Sequence, residues 1–133
     1  MYLSKLSNEK KHLFLDLELY ISNADSEFSN QEKNIIDAHC LEMHIDCNKY
    51  KCELPLDEVY KKLERCTPEE QHIIFIEMLA TVIADEVYHD EEKKIVETLG
   101  TILNISRKEI EQAFSIIYNL KKTYEELANF IRI

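Results

Sequence analysis

Four carboxylates recur in a spacing that could hold a hard cation. The stretch Ala24-Asp25-Ser26-Glu27-Phe28-Ser29-Asn30-Gln31-Glu32-Lys33 returns sixty residues later as Ala84-Asp85-Glu86-Val87-Tyr88-His89-Asp90-Glu91-Glu92-Lys93. Each copy offers an aspartate directly after an apolar helical pattern and a glutamate at the start of the next. An aspartate at a helix C-terminus is electrostatically misplaced, by about 0.3–1 kcal/mol at an exposed site. A tight loop whose own N–H groups bind the side chain offsets that cost; a bound cation does so as well. If the copies pack about a pseudo-two-fold axis, Asp25, Glu32, Asp85 and Glu92 converge, and four carboxylates suit Ca²⁺ or Mg²⁺. Neither loop is a standard EF-hand: position twelve, where that loop needs glutamate, is Ile36 in one copy and Val96 in the other.

A softer set lies nearby. His39, Cys40, His44, Cys47 and Cys52 fall close together, and Cys40 and His44 share a helical face. They could bind Zn²⁺, although no CxxC pair occurs and the second copy has Leu99, Gly100 and Asn104 in place of His39, Cys40 and His44. Reduced thiols are the expectation for an intracellular chain, with Cys40 a small core residue and His44 at the surface. Cys40 and His44 are also the residues on which a small helical enzyme would rest. No nucleophile, base and orienting group fall into a recognisable pattern, so a non-catalytic protein is expected. A di-iron bundle is excluded because the chain has no Glu-x-x-His.

These groups must be positioned by helices. The single glycine, Gly100, and the two prolines, Pro55 and Pro68, are too few for hairpins, for a phosphate-binding loop or for a dinucleotide fingerprint. The first helix is expected over about 8–23, capped by Ser7, with Asp16 and Glu18 facing water. The second opens at Asn30 behind a Ser29/Glu32 capping box. An irregular stretch over 46–54 precedes a third helix begun by Pro55. Thr67-Pro68-Glu69-Glu70 is a strong helix start, and the fourth helix is apolar nearly all round apart from Glu77 and Thr81, which places it at the centre of the bundle. A fifth helix over about 90–103, a sixth opened by the Ser106/Glu109 box and a last one over about 122–132 complete seven helices.

The pairs Ile35/Ile95, Ile36/Val96, Met43/Leu103 and Ile45/Ile105 keep the sixty-residue register. The expected architecture is therefore an all-α, single-domain bundle of about seven helices over 1–133. One repeat covers about 8–66, a second about 67–118, and the C-terminal helix is an addition. The net charge of −10 repels phosphate backbones, which argues against nucleic acid and for cations or a basic protein surface. No apolar run is long enough to span a bilayer and no signal-peptide pattern opens the chain, so a cytoplasmic protein without direct membrane insertion is expected.

At the Ala24-Asp25 and Ala84-Asp85 loops, with Glu32 and Glu91-Glu92 after them, the chain resembles the TerB-like domains of tellurite-resistance and stress-response systems. The run Leu103-Asn104-Ile105-Ser106-Arg107-Lys108-Glu109-Ile110 resembles that family's turn into its next helix. The likeness extends over roughly 8–118. It departs at Ser26 and Glu86, where the family has glycine. The resemblance implies a duplicated helical module without catalysis. It further implies divalent-cation binding at acidic positions and protein partners, some of them membrane-associated.

Overall fold

The computed structural model describes residues 1–23, 30–83 and 90–132, without the side chains of residues 30–32, 91, 92 and 95. Among the described residues the fold is all-helical. A short 3-10 turn at Leu3–Lys5 leads into α1 (Asn8–Ser22), α2 (Asn30–Met43), α3 (Leu56–Glu64), α4 (Pro68–Val82), α5 (Asp90–Ile102) and α6 (Arg107–Ile131).

The helix starts follow from side chains that satisfy orphan N–H groups. Ser7 accepts from the Lys10 amide at α1. Thr67 with Glu70, and Ser106 with Glu109, close reciprocal capping boxes at α4 and α6. The expected Ser29/Glu32 box lies outside the described residues.

The sixty-residue register is structural. α4 opens and closes sixty residues after α1, and α5 opens sixty residues after α2. The ends of α2 and α5 are built alike. The Ile45 amide donates to the Cys40 carbonyl at 2.9 Å, and the Ile105 amide to the Gly100 carbonyl at 2.8 Å. His44 and Asn104 take the left-handed conformation, at φ 59° and 58°. Both are Schellman-type ends, in which a left-handed residue lets the chain reverse and the last carbonyls find donors. Asparagine tolerates that conformation and histidine does so less well. His44→Gly is therefore expected to raise stability by about 0.5–1 kcal/mol, read from urea unfolding, with Asn104→Gly giving a smaller gain.

The core is one contiguous cluster that draws on every helix. It includes Phe14, Leu17 and Ile21 of α1, Ile36 and Met43 of α2, Val59 and Leu63 of α3, and Ile74, Met78 and Leu79 of α4. Val96 and Leu99 of α5 and Ile117 of α6 complete it. α4 is buried nearly all round, as its composition requires. α1 is equally enclosed, and here the expectation from periodicity fails: Asp16 and Glu18, placed in water by their position off the apolar stripe, are 1% and 0% exposed. The 46–54 segment folds back over α1 and covers Asp16. The Tyr50 hydroxyl donates to Asp16 Oδ1, and so does the Glu53 amide at 3.3 Å. The Tyr20 hydroxyl holds the same segment through the Leu54 carbonyl at 2.9 Å.

Two further differences concern the third helix of each repeat. The spacing of α6 would place its counterpart at Cys47, yet α3 opens at Leu56. The 46–54 segment is thus an insertion that the second repeat lacks. The sixth and seventh expected helices are one. Asn119, Leu120, Lys121 and Lys122 include neither glycine nor proline, so nothing breaks the hydrogen-bond ladder between them.

Candidate functional site

Asp25 and Asp85 lie outside the described residues, as do Phe28 and Tyr88. Glu32 and Glu92 fall in the first turns of α2 and α5 by backbone, and their side chains lie outside the description. What the structure does place is the ground on which both loops stand. α1 and α4, the helices that precede the two loops, are tied together one turn or less from their ends. The Thr81 hydroxyl donates to Glu18 Oε2 at 2.6 Å. Glu18 is four residues from the α1 terminus at Ser22, and Thr81 is one from the α4 terminus at Val82.

Around that bond sits a buried ionic network. His39 of α2 lies between two carboxylates, with Nδ1 2.6 Å from Glu18 Oε2 and Nε2 3.4 Å from Glu77 Oε2. Glu77 also accepts the Tyr2 amide at 2.7 Å on Oε1. The Met1 amino group lies 2.9 Å from that oxygen and 2.8 Å from Glu42 Oε1. The Phe14 ring meets the imidazole edge-on, with centroids 5.5 Å apart. Glu18, Glu77 and Thr81 are almost wholly enclosed, and His39 is 7% exposed.

Burial by itself would push the His39 imidazole down. The hydrogen bonds to Glu18 and then Glu77 outweigh it and lift the group to about 9. Burial would likewise push Glu77 up, but the His39 contact, the Tyr2 amide and the Met1 ammonium hold it down at about 2. At neutral pH His39 is therefore an imidazolium that donates to both carboxylates. Two buried oxygens at the α1 end, Glu18 Oε1 and Ser22 Oγ, have no protein partner. Lys121 of α6 reaches the other helix end and donates to the Ile83 carbonyl at 3.4 Å, a cation where the α4 macrodipole favours one.

This network can fix three helices and the chain start relative to one another. It is not itself a metal centre: among the described residues no group of three His, Cys, Asp or Glu is arranged to hold a metal ion. His39 Nδ1 is engaged with Glu18, so the imidazole is committed to protons rather than to a cation.

The expected thiol cluster is corrected. Cys40 and Cys47 form a disulfide, with Cα atoms 5.9 Å apart. The left-handed turn at His44 reverses the chain after α2 and brings Cys47 back over Cys40. In that state neither sulfur is a nucleophile or a Zn²⁺ ligand. Cys52 is an exposed thiol and Cys66 a buried one. His44 is exposed at the helix end, as expected.

Sequence reasoning missed Glu18 as a site residue and weighed His39 only beside the cysteines. The available signal was in α4. Glu77 and Thr81, four apart on a helix with no polar face, share one side and must find polar partners inside the protein.

No family model matches the chain, and neither does any curated protein. Among solved structures, a crystal structure of a tellurite resistance protein from Nostoc punctiforme PCC 73102 is similar, with a TM-score of 0.67 over 95% of this chain and 82% of that one, at 21% sequence identity. No described helix is long and apolar enough to cross a membrane. The chain thus has the all-helical fold of that tellurite resistance protein, the fold that the repeated Ala-Asp loops implied.

Proposed function

We propose that the protein is a non-catalytic TerB-like module of the tellurite-resistance or stress-response type. In this reading its two acidic loops bind one divalent cation through Asp25, Glu32, Asp85 and Glu92. The observation that carries the reading is the Glu18–Thr81 hydrogen bond, which joins the helices that lead into both loops within a turn of their ends. A hard oxygen donor set suits Ca²⁺ or Mg²⁺ rather than Zn²⁺, and the net charge of −10 favours cation capture. The cytoplasm is the proposed location, where reducing conditions would open Cys40–Cys47.

Titration with Ca²⁺ and with Mg²⁺, followed by amide NMR, tests this. Amides of residues 26–28 and 86–88 shift together and saturate, and cation at a hundredfold excess over its dissociation constant adds about 2.7 kcal/mol to stability. Replacing Asp25 and Asp85 with asparagine abolishes both effects. Silence of both loops at millimolar cation would sink the metal site. The second reading, a metal-free interaction adaptor, would then stand, favoured by the apolar side chains that α6 exposes at Tyr124, Leu127, Phe130 and Ile131.

A further inference from the structure

The 46–54 insertion is fastened to the bundle by one covalent bond and a few weaker ties. Cys47, near its start, is bonded to Cys40 of α2, seven residues back. The hydrogen bonds that hold it run from the Tyr50 hydroxyl and the Glu53 amide to Asp16, and from the Tyr20 hydroxyl to the Leu54 carbonyl. Cys47, Tyr50 and Leu54 pack against the core and are only partly buried. In the second repeat the place of Cys40 is taken by Gly100, where a Cβ would stand 2.6 Å from the Ile110 side chain. There the next helix lies directly on the glycine. In the first repeat the returning chain crosses α2 at the same place, and a disulfide holds it instead. The two sulfurs are unequally placed. Cys40 is 3% exposed, whereas Cys47 is half-buried on a segment that is mostly exposed. A disulfide is an electrophile, and access decides which of its sulfurs is attacked. A soluble reagent meets Cys47 first. Cys52, the exposed thiol of the same segment, is a poor internal attacker. Partial desolvation, and then the Asp16 carboxylate, push its thiol up, so little thiolate forms.

We propose that Cys40–Cys47 is an exchange site for a low-molecular-weight thiol, entered at Cys47, and that its opening releases the 46–54 segment from Asp16. The thiolate of the small thiol attacks Cys47 Sγ. The Cys40–Cys47 bond breaks, and Cys40 leaves as a thiolate that takes a proton from water. A second small thiol then attacks the sulfur of the first. Cys47 departs as a thiol, and the two small thiols leave joined as their own disulfide, having supplied the two electrons. Burial of Cys40 disfavours its thiolate, so the first step is slow. Once the cross-link is gone the segment regains the conformational freedom that the bond had removed. Asp16, 1% exposed beneath it, can trade the Tyr50 and Glu53 donors for water, so lifting the segment leaves no carboxylate unsatisfied. The bundle beneath does not depend on this bond, because the second repeat builds the same helix end without it. The exchange is independent of cation binding by the acidic loops.

Glutathione is the probe, and the full chain is used throughout. Folded, oxidised protein is incubated with millimolar reduced glutathione, quenched in acid and mapped by peptide mass. The expected product is a mixed disulfide at Cys47, followed by free thiols at Cys40 and Cys47. In a Cys52→Ser background, Cys40→Ser takes up glutathione from its oxidised form at Cys47 at least about tenfold faster than Cys47→Ser does at Cys40, because the exposed thiol reacts first. Hydrogen exchange reads the release. The Glu53 amide, which donates to Asp16, exchanges at least about tenfold faster in the reduced chain than in the oxidised one, while amides in the middle of α1 and α4 keep their protection. That unchanged protection also shows that the reduced chain is folded. Equal protection of the Glu53 amide in both states would overturn the release. Reaction at Cys40 as fast as at Cys47 would overturn the exchange site, and so would a disulfide that yields to glutathione only when the chain is unfolded.

Discussion

Raising the pH from 6.5 to above 9 will cost the folded chain about 3 kcal/mol through His39 alone. The unfolded imidazole loses its proton near 6.5, whereas the folded one holds it to about 9. At about 1.4 kcal/mol for each pH unit the difference gives that figure. Because the folded value is the higher, this stabilisation is complete below pH 6.5 and disappears as the pH climbs through 9. Glu77 acts in the opposite sense. Held at about 2 against an ordinary 4.5, it contributes fully above pH 4.5 and is lost as the pH falls through 2. One contact enters both effects, so they are not added, and together they define a stability plateau between 4.5 and 6.5. The groups facing His39 are Glu18 from α1, Glu77 from α4 and, beyond Glu77, the Met1 amino group. That amino group is also raised above its ordinary value: burial lowers it, and Glu42 and Glu77 more than compensate. Its alkaline loss has the same sign as that of His39. Urea unfolding between pH 5.5 and 9.5 separates the two, because His39→Gln keeps a hydrogen-bonding side chain but cannot titrate. Most of the decline should vanish in that variant. A parent and variant with parallel profiles would show that His39 is not the source.

The repeat was legible because it is written twice. Helix starts at Ser7, Thr67 and Ser106 are local chemistry, and local chemistry can be read in sequence. The centrality of α4 was legible for a similar reason, since no face of it could be left in water. α1 was harder. Its polar residues, Asp16 and Glu18, looked like a solvated face, and only the return of the 46–54 segment and the approach of α2 and α4 enclose them. Those are long-range events, and periodicity along one helix is blind to them. Register could have supplied the missing step: α1 is the counterpart of α4, and two copies of a buried helix should both be buried. The Cys40–Cys47 pair depended on the left-handed backbone at His44, a conformation more readily expected of Asn104, its counterpart sixty residues on. The acidic loop residues on which the cation reading rests were recognisable by type and repetition. Whether they converge is decided by geometry that spacing does not encode.

Replacing Glu18 with leucine will destabilise the protein by about 3–5 kcal/mol, the cost of removing one partner from a buried ion pair, against a total of about 5–15 kcal/mol for a domain of this kind. Leucine fills the space well enough, so the loss is electrostatic. The imidazolium of His39 keeps only the longer contact to Glu77, and the Thr81 hydroxyl keeps only its longer bond to the Glu77 carbonyl, at 3.3 Å. Glu18→Gln should cost less, because its amide oxygen still accepts from Thr81. The two variants are compared by urea unfolding at pH 6, on the plateau. A cost below about 1 kcal/mol for Glu18→Leu, the level of an exposed pair, would mean that the network is solvated and that its enclosure has been misjudged. Replacing the whole set gives the complementary test. With Glu18, His39 and Glu77 changed to leucine and Thr81 to valine, no buried charge is stranded. The Tyr2 amide loses its acceptor and the Met1 amino group keeps only Glu42, but much of the lost stability should return. Recovery would separate two properties that the single variants confound. The charges are costly to break, yet an apolar core of the same shape holds α1, α2 and α4 about as firmly. What the native residues add is direction: His39 can satisfy Glu18 and Glu77 together only when the three helices stand in one register, and that register brings the ends of α1 and α4 side by side.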